Sequence, residues 1–285
     1  MKKLIVVTNN DNTSARIKKG IYIQIPNFEI SFASILNIPI RRKSVYLILK
    51  NIHLIHSSVL KTLKKNKNEI IYEILDGFHK VENLDRYITM LNRHCFGVNT
   101  IICNNFFHAK FIESHIKRSV KTHVVYHHAD SRVSLHSKRC DDVHYIGSLS
   151  KLSLSEHQIA QNKIKIFTPF KKNNITDIVS GIHIDFVLPD KSLQYTIHTT
   201  TKLATAFYTR SVFICNRQPV YTEMIGEDYD LYINDDLSNM ETVIQNAKQI
   251  FNSEDLLDAY FEKYKYVHEQ VSMTACVDMY SSILS

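Results

Sequence analysis

The stretch HTTTKLATAFYTRSVFICNRQPVYTEMIGEDYDLYIN, residues 198–234, decides how the rest of the chain is read. Thr199 and Thr200 are capping-type residues ahead of a run of small residues, which predicts a helix opening there with Lys202 in its first turn. A cation at that position opposes the helix macrodipole unless an anion neutralises it. SVFIC (211–215) and YDLYI (229–233) have the composition of short strands. Helix N-termini beyond the carboxyl ends of parallel strands are where doubly wound sheets receive phosphate.

Working outward, the same rhythm continues. VHYIGS (143–148), KIKIF (163–167) and GIHIDFVL (181–188) precede the opening stretch as apolar, β-rich runs. A separate series, IVVT (5–8), VYLIL (45–49), IIYEIL (70–75), TIIC (100–103) and HVVY (123–126), occupies the N-terminal half. Between these lie SSVLKTLKKN (57–66), VENLDRYITMLNRH (81–94) and HAKFIESHIKRS (108–119), whose apolar residues recur near i, i+3, i+4. Alternation of this kind predicts an α/β protein with parallel sheets covered by helices. The polar segment ADSRVSLHSKRCDD (129–142) has neither period and separates the two series. We therefore expect two Rossmann-like domains, 1–140 and 141–285, with a cleft between them. From Ser253 onward the chain reads as helical, Ser253 capping ahead of Glu254 and Asp255, and these last helices are expected to pack back toward the N-terminal domain.

The length of 285 residues suits two domains with cores of their own. No run approaches the roughly 18 apolar residues of a membrane span, and the short run after Lys2 and Lys3 ends in Asn9, Asn10, Asp11 and Asn12 rather than in a leader-type cleavage segment. A cytoplasmic protein is expected. The five cysteines, Cys95, Cys103, Cys140, Cys215 and Cys276, lack CxxC spacing and read as reduced thiols, and His53 with His56 has no accompanying cluster, so no structural zinc site is expected. Charge is unevenly spread: residues 1–142 hold 23 basic against 11 acidic side chains, +12, whereas residues 143–285 hold 12 against 17, −5. The basic clusters make anionic partners candidates for the N-terminal half.

Residues 198–234 resemble the donor-binding segment of GT-B glycosyltransferases, in which a threonine- or proline-led turn opens a lysine-bearing helix of small residues, followed by a short strand and a glutamate at the head of the next helix. HYIGSLSK (144–151) resembles the first strand and turn of the same domain. The resemblance implies a donor site formed by Gly147, Ser148, Thr199, Thr200, Lys202, Tyr221 and Glu223. Lys202 would neutralise the donor phosphate, Thr199 and Thr200 would offer it hydrogen-bond donors, and Glu223 would accept from the ribose hydroxyls. Thr209, Arg210 and Ser211 stand where the family often has glycine and proline, and Val187, Leu188 and Pro189 where it often has an arginine. A nucleoside diphosphate and a CMP-linked acidic sugar both stay open as donors.

Asp228-Tyr229-Asp230 is a DxD, but it sits near the end of the chain beside an expected strand start and reads as a loop. No metal ligands and no cofactor besides the nucleotide-sugar co-substrate are therefore expected. On the acceptor side, EILDGFHK and VVYHHAD place Asp76, His79 and His128 after expected strands, together with Gly77, His127 and Asp130. Carboxylate or imidazole there can take the acceptor proton in an inverting enzyme, so Asp76, His79 and His128 are the catalytic candidates. The expected activity is metal-independent transfer of a hexosyl or acidic sugar to a glycan, glycolipid or other acceptor, as in polysaccharide biosynthesis, with the inner face of an anionic membrane as a candidate partner. A Lys202→Ala variant is expected to fold and to lose turnover. The alternative, a nucleic-acid-binding or modifying protein using the basic half, has no RNP-type aromatic string, GXXG clamp or Walker loop to support it, and no nucleic-acid partner is expected. A dinucleotide enzyme is disfavoured because the first strand leads into NNDNTSARIKKG rather than GxGxxG.

Overall fold

The computed structural model describes residues 2–8, 20–75, 84–129, 133, 139–167, 180–189, 195 and 197–285. The chain forms two compact units, one comprising Met1–Tyr126, Lys191–Thr199 and Met273–Ser285, the other His127–Asp190 and Thr200–Ser272. Both are discontinuous in sequence, whereas the sequence reading places a single boundary at 140/141.

The first unit is built on six parallel strands: β1 (Lys2–Thr8), β2 (Phe28–Ser34), β3 (Val45–Leu49), β4 (Glu69–Glu73), β5 (Thr100–Cys103) and β6 (Lys121–Val124), in the order β2-β1-β3-β4-β5-β6. Strand side chains alternate between faces, so a sheet covered on both sides needs uninterrupted apolar runs. Leu4, Val6, Val45, Leu47 and Leu49 enter one core, and Ile5, Val7, Tyr46 and Ile48 the other. The second of these cores is covered by helices α1 (Ser57–Lys65), α2 (Leu84–His94) and α3 (Phe106–His115), through Leu60, Leu63, Tyr87, Leu91, Ala109 and Ile112. Helix α3 starts at Phe106, two residues before the expected His108, because the Asn105 side chain accepts from the His108 backbone N–H at 2.6 Å and caps it. The edge strand β2 escapes the sequence reading although FEISFAS alternates; its half-exposed face lacks the apolar runs of its neighbours.

Two buried polar groups mark this unit. Glu73, 1% exposed, accepts O–H bonds from Tyr22 and, at 2.6 Å, from Tyr280, so a carboxylate at the end of β4 holds the C-terminal helix against the sheet. His108 is fully buried beside the Tyr87 hydroxyl at 3.0 Å, and burial lowers its pKa from 6.5 to about 3. The unfolded chain therefore takes up a proton as pH falls below 6.5 while the native chain does not, which removes stability as pH falls. Between pH 7 and pH 5 this one group should cost about 2 kcal/mol, and a His108→Leu variant should show a correspondingly flatter loss in urea unfolding at the two pH values. An unchanged slope would show that His108 does not titrate on unfolding.

The second unit contains β7 (Arg139–Ile146), β8 (Lys165–Phe167), β9 (Ser180–Asp185) and β10 (Val212–Cys215), all parallel and ordered β10-β9-β7-β8. From β7 the chain runs outward to β8 and returns to β9 on the other side, so strand order reverses between β7 and β9. Helices α4 (Glu156–Gln161), α5 (Thr201–Tyr208), α6 (Pro219–Ile225), α7 (Met240–Asn252), α8 (Glu254–Lys263) and α9 (Lys265–Gln270) follow, before α10 (Met273–Leu284) rejoins the first unit. Its Cys276, Tyr280 and Leu284 lie in the first unit's core, and Ser253 caps α8 by accepting from the Leu256 backbone N–H, as expected. The expected strand at 229–233 is instead a turn with a single bridge from Tyr232 to Cys215. Its apolar residues are buried by ring packing, Tyr229 against Tyr232 and Tyr264, rather than by a strand ladder.

Candidate functional site

In doubly wound sheets ligands bind beyond the carboxyl ends of the strands where the order reverses. In the second unit that place is the end of β7 and β9, and polar side chains converge on it. Asp185 closes β9, all six of whose residues are buried, and is itself 0% exposed. One of its carboxylate oxygens pairs with the Lys202 ammonium, which reaches back from the first turn of α5; the other accepts the Tyr221 hydroxyl of α6 at 2.6 Å. Lys202 also donates to the Tyr145 hydroxyl of β7 at 3.2 Å and lies 4.5 Å from the centroid of that ring.

The turn after β7 is shaped by the same tyrosine. Tyr145 donates to the Ser148 carbonyl at 3.1 Å, and a side chain at Gly147 would meet the Tyr145 hydroxyl at 3.0 Å, so only glycine lets the ring fold over the turn. Burial, and after it the Asp185 charge, pushes both the Tyr145 and the Tyr221 phenol up, which keeps them protonated as donors. Tyr221 is further fixed edge-to-face on Phe213 of β10, with ring centroids 5.0 Å apart. Proline at the first position of α6 starts that helix directly after Gln218.

Gly147, Ser148, Lys202 and Tyr221, expected from the sequence, are thus brought to one place by contact with Tyr145 and Asp185, neither of which the sequence reading singles out. Glu223 lies half-buried two residues beyond Tyr221 on α6. Thr200 stands at the N-cap of α5 but makes no side-chain cap bond there; its hydroxyl donates to the His127 carbonyl at 2.7 Å. The expectation that Thr200 caps with its side chain is corrected accordingly: its backbone is already in the helical region rather than in the extended one from which a cap oxygen reaches the first-turn N–H groups. Thr199 belongs to the first unit. His127 contacts the Thr201 hydroxyl at 3.1 Å, and His128 beside it is buried. Asp76, Gly77, His79 and Asp130 lie outside the described residues. Asp228 and Asp230 are both exposed, and Asp230 pairs with Lys263 at 3.0 Å.

No family model and no curated protein matches the chain. Solved structures do. Anabaena HepE in complex with UDP and glucose matches over 100% of this chain and 99% of its own, with a TM-score of 0.60 at 10% identity. Sucrose-phosphate synthase from Thermosynechococcus elongatus matches over 100% and 98%, with 0.60 at 5%, and HepE in complex with UDP over 100% and 99%, with 0.58 at 8%. This chain has the GT-B fold. The expected fold class is thereby met: two parallel α/β sheets, each with a strand order that reverses. Among the described residues no helix is long and apolar enough to cross a membrane.

Proposed function

We propose that the protein is a glycosyltransferase that binds a nucleotide-sugar in its second unit and transfers the sugar without a divalent ion on the donor phosphate. The observation that carries this reading is Lys202, set in the first turn of α5 at the reversal point and clamped by Asp185 and Tyr145. An ammonium has three donors, and those two partners take two of them. The third, with the α5 N-terminus, supplies fixed donors for a phosphate whose negative charge grows as the nucleotide departs. Glu223, an acceptor-only group, is assigned to the ribose diol. The bound UDP of two structural neighbours agrees with a uridine nucleotide as donor.

Thermal denaturation with UDP, GDP, CMP and an RNA oligonucleotide tests the assignment. One nucleotide at about 100 times its Kd should stabilise the protein by about 2.7 kcal/mol, and the RNA should not. Glu223→Gln should weaken that nucleotide by several-fold through loss of charge while leaving the fold intact. Stabilisation by RNA alone would replace this reading with the nucleic-acid one, and unaltered affinity in Glu223→Gln would remove Glu223 from the ribose.

The acceptor is assigned to the basic N-terminal half and is taken to be anionic, either an acidic glycan or a lipid-linked acceptor on an anionic membrane. Lys and Arg near such a surface contribute about 1 kcal/mol each and are screened beyond roughly 10 Å at 0.1 M salt. The KM for an acidic acceptor should therefore rise steeply with ionic strength. A salt-independent KM would reduce the basic clusters to solvated helix faces.

A further inference from the structure

Cys140, Asp142 and His144 stand at alternate positions of β7, and their ligand atoms all lie within 4.8 Å of one another. The Cys140 thiol donates to the Asp142 carboxylate at 2.7 Å. The register of β7 against β9 shifts between Arg139 and Val143, an irregularity of the kind that re-aims strand side chains. His144 is 2% exposed, and its Nδ1 is buried without a hydrogen-bond partner. A buried imidazole nitrogen left unbonded costs free energy unless something else engages the ring. Cys140 and Asp142 are only half-buried, so the cluster opens to solvent on their side, and Asp142 also lines a surface cavity of about 470 Å³. Lys165, from the adjacent strand β8, already places its ammonium on Asp142. That exposed, flexible cation marks a point where positive charge is favoured and is readily displaced.

We propose that Cys140, Asp142 and His144 form a binding site for a thiophilic divalent cation of the zinc type. Thiolate and imidazole select zinc over magnesium or calcium, which take oxygen ligands. Three protein ligands leave one position of a tetrahedral ion to water, the arrangement of an exchangeable rather than a closed structural site. On binding, the Cys140 thiol gives up its proton to solvent as the sulfur–metal bond forms, and Lys165 withdraws from Asp142. Tyr145, next in sequence, serves the donor cluster instead. The inference is therefore independent of the glycosyltransferase reading.

The test uses the full chain stripped with a chelator and titrated with Zn²⁺ against a chromophoric indicator, and separately with Co²⁺. One equivalent of Zn²⁺ should bind, and Co²⁺ should show a sulfur-to-metal charge-transfer band with tetrahedral d–d absorption. Cys140→Ser, at a half-exposed position that does not threaten folding, should abolish the charge-transfer band. It should also weaken zinc by at least about a hundredfold, as much as or more than the roughly 10–100-fold lost with a group that merely supports a ligand. Lys165→Ala, by removing the competing cation, should tighten zinc several-fold. Absence of stoichiometric binding, or binding and spectra unchanged in Cys140→Ser, overturns the proposal.

Discussion

A Lys202→Ala variant is expected to lose both nucleotide binding and stability, and a double variant separates the two losses. Asp185 has no exposure at all; its charge is met by Lys202, whose side chain is 16% exposed and also reaches Tyr145, and by the Tyr221 hydroxyl. Removing one partner of a buried pair leaves the other charge uncompensated, at a cost of about 3–5 kcal/mol. The sequence-based expectation that Lys202→Ala folds unharmed therefore gives way to one of marked destabilisation in urea unfolding. Lys202→Met combined with Asp185→Asn removes both charges and keeps an acceptor for the Tyr221 hydroxyl, so most of that stability should return. Nucleotide affinity should not return, because a charge-assisted phosphate contact worth roughly 1.5–3 kcal/mol, tenfold or more in binding, is still missing. Calorimetry with UDP on the double variant decides the matter. Wild-type affinity there would make Lys202 the counter-ion of Asp185 and nothing more.

Glu73→Ala is expected to destabilise the first unit by about 3–5 kcal/mol. Two buried hydroxyls, those of Tyr22 and Tyr280, would each lose an acceptor at about 1–3 kcal/mol, and the deleted side chain would leave a void in a close-packed core. Glu73→Gln should recover most of the loss, since the amide oxygen accepts from one tyrosine and its NH₂ donates to the other. The C-terminal helix is the element at stake. Limited proteolysis should cleave ahead of Met273 faster in Glu73→Ala than in Glu73→Gln. Equal stability of the two variants would mean that the negative charge, not the hydrogen bonding, holds the helix.

Strands and helices of both units are legible because their signals are local. VYLIL becomes β3 residue for residue, and TIIC becomes β5. Failures occur where burial is decided by distant partners. YDLYI has strand composition, yet Tyr229 satisfies its hydroxyl on the Phe213 carbonyl and on Tyr260 at 2.9 Å, and no ladder forms. The segment 129–142 reads as aperiodic, yet its last residues enter β7 and bring Cys140 and Asp142 beside His144. A cluster spaced Cys-x-Asp-x-His carries no CxxC-type signal and becomes visible only when the strand is known.

The candidate site divides along the same line. The sequence by itself determined two α/β series and a threonine-led helix with a lysine in its first turn, since each follows from neighbours a few residues apart; the glutamate came from the resemblance, which puts it at the head of the next helix, whereas Glu223 is the fifth residue of α6. Only the tertiary structure decided that Lys202 would be held by Asp185, that Tyr145 and Tyr221 would close the cluster, and that Thr200 would turn to the His127 carbonyl. The reason is physical: a carboxylate's partner, and the cost of burying it, depend on which groups the fold brings within about 3 Å in a medium of low dielectric constant, and the chain separation between Asp185 and Lys202, or between Glu73 and Tyr280, leaves no local trace of that meeting.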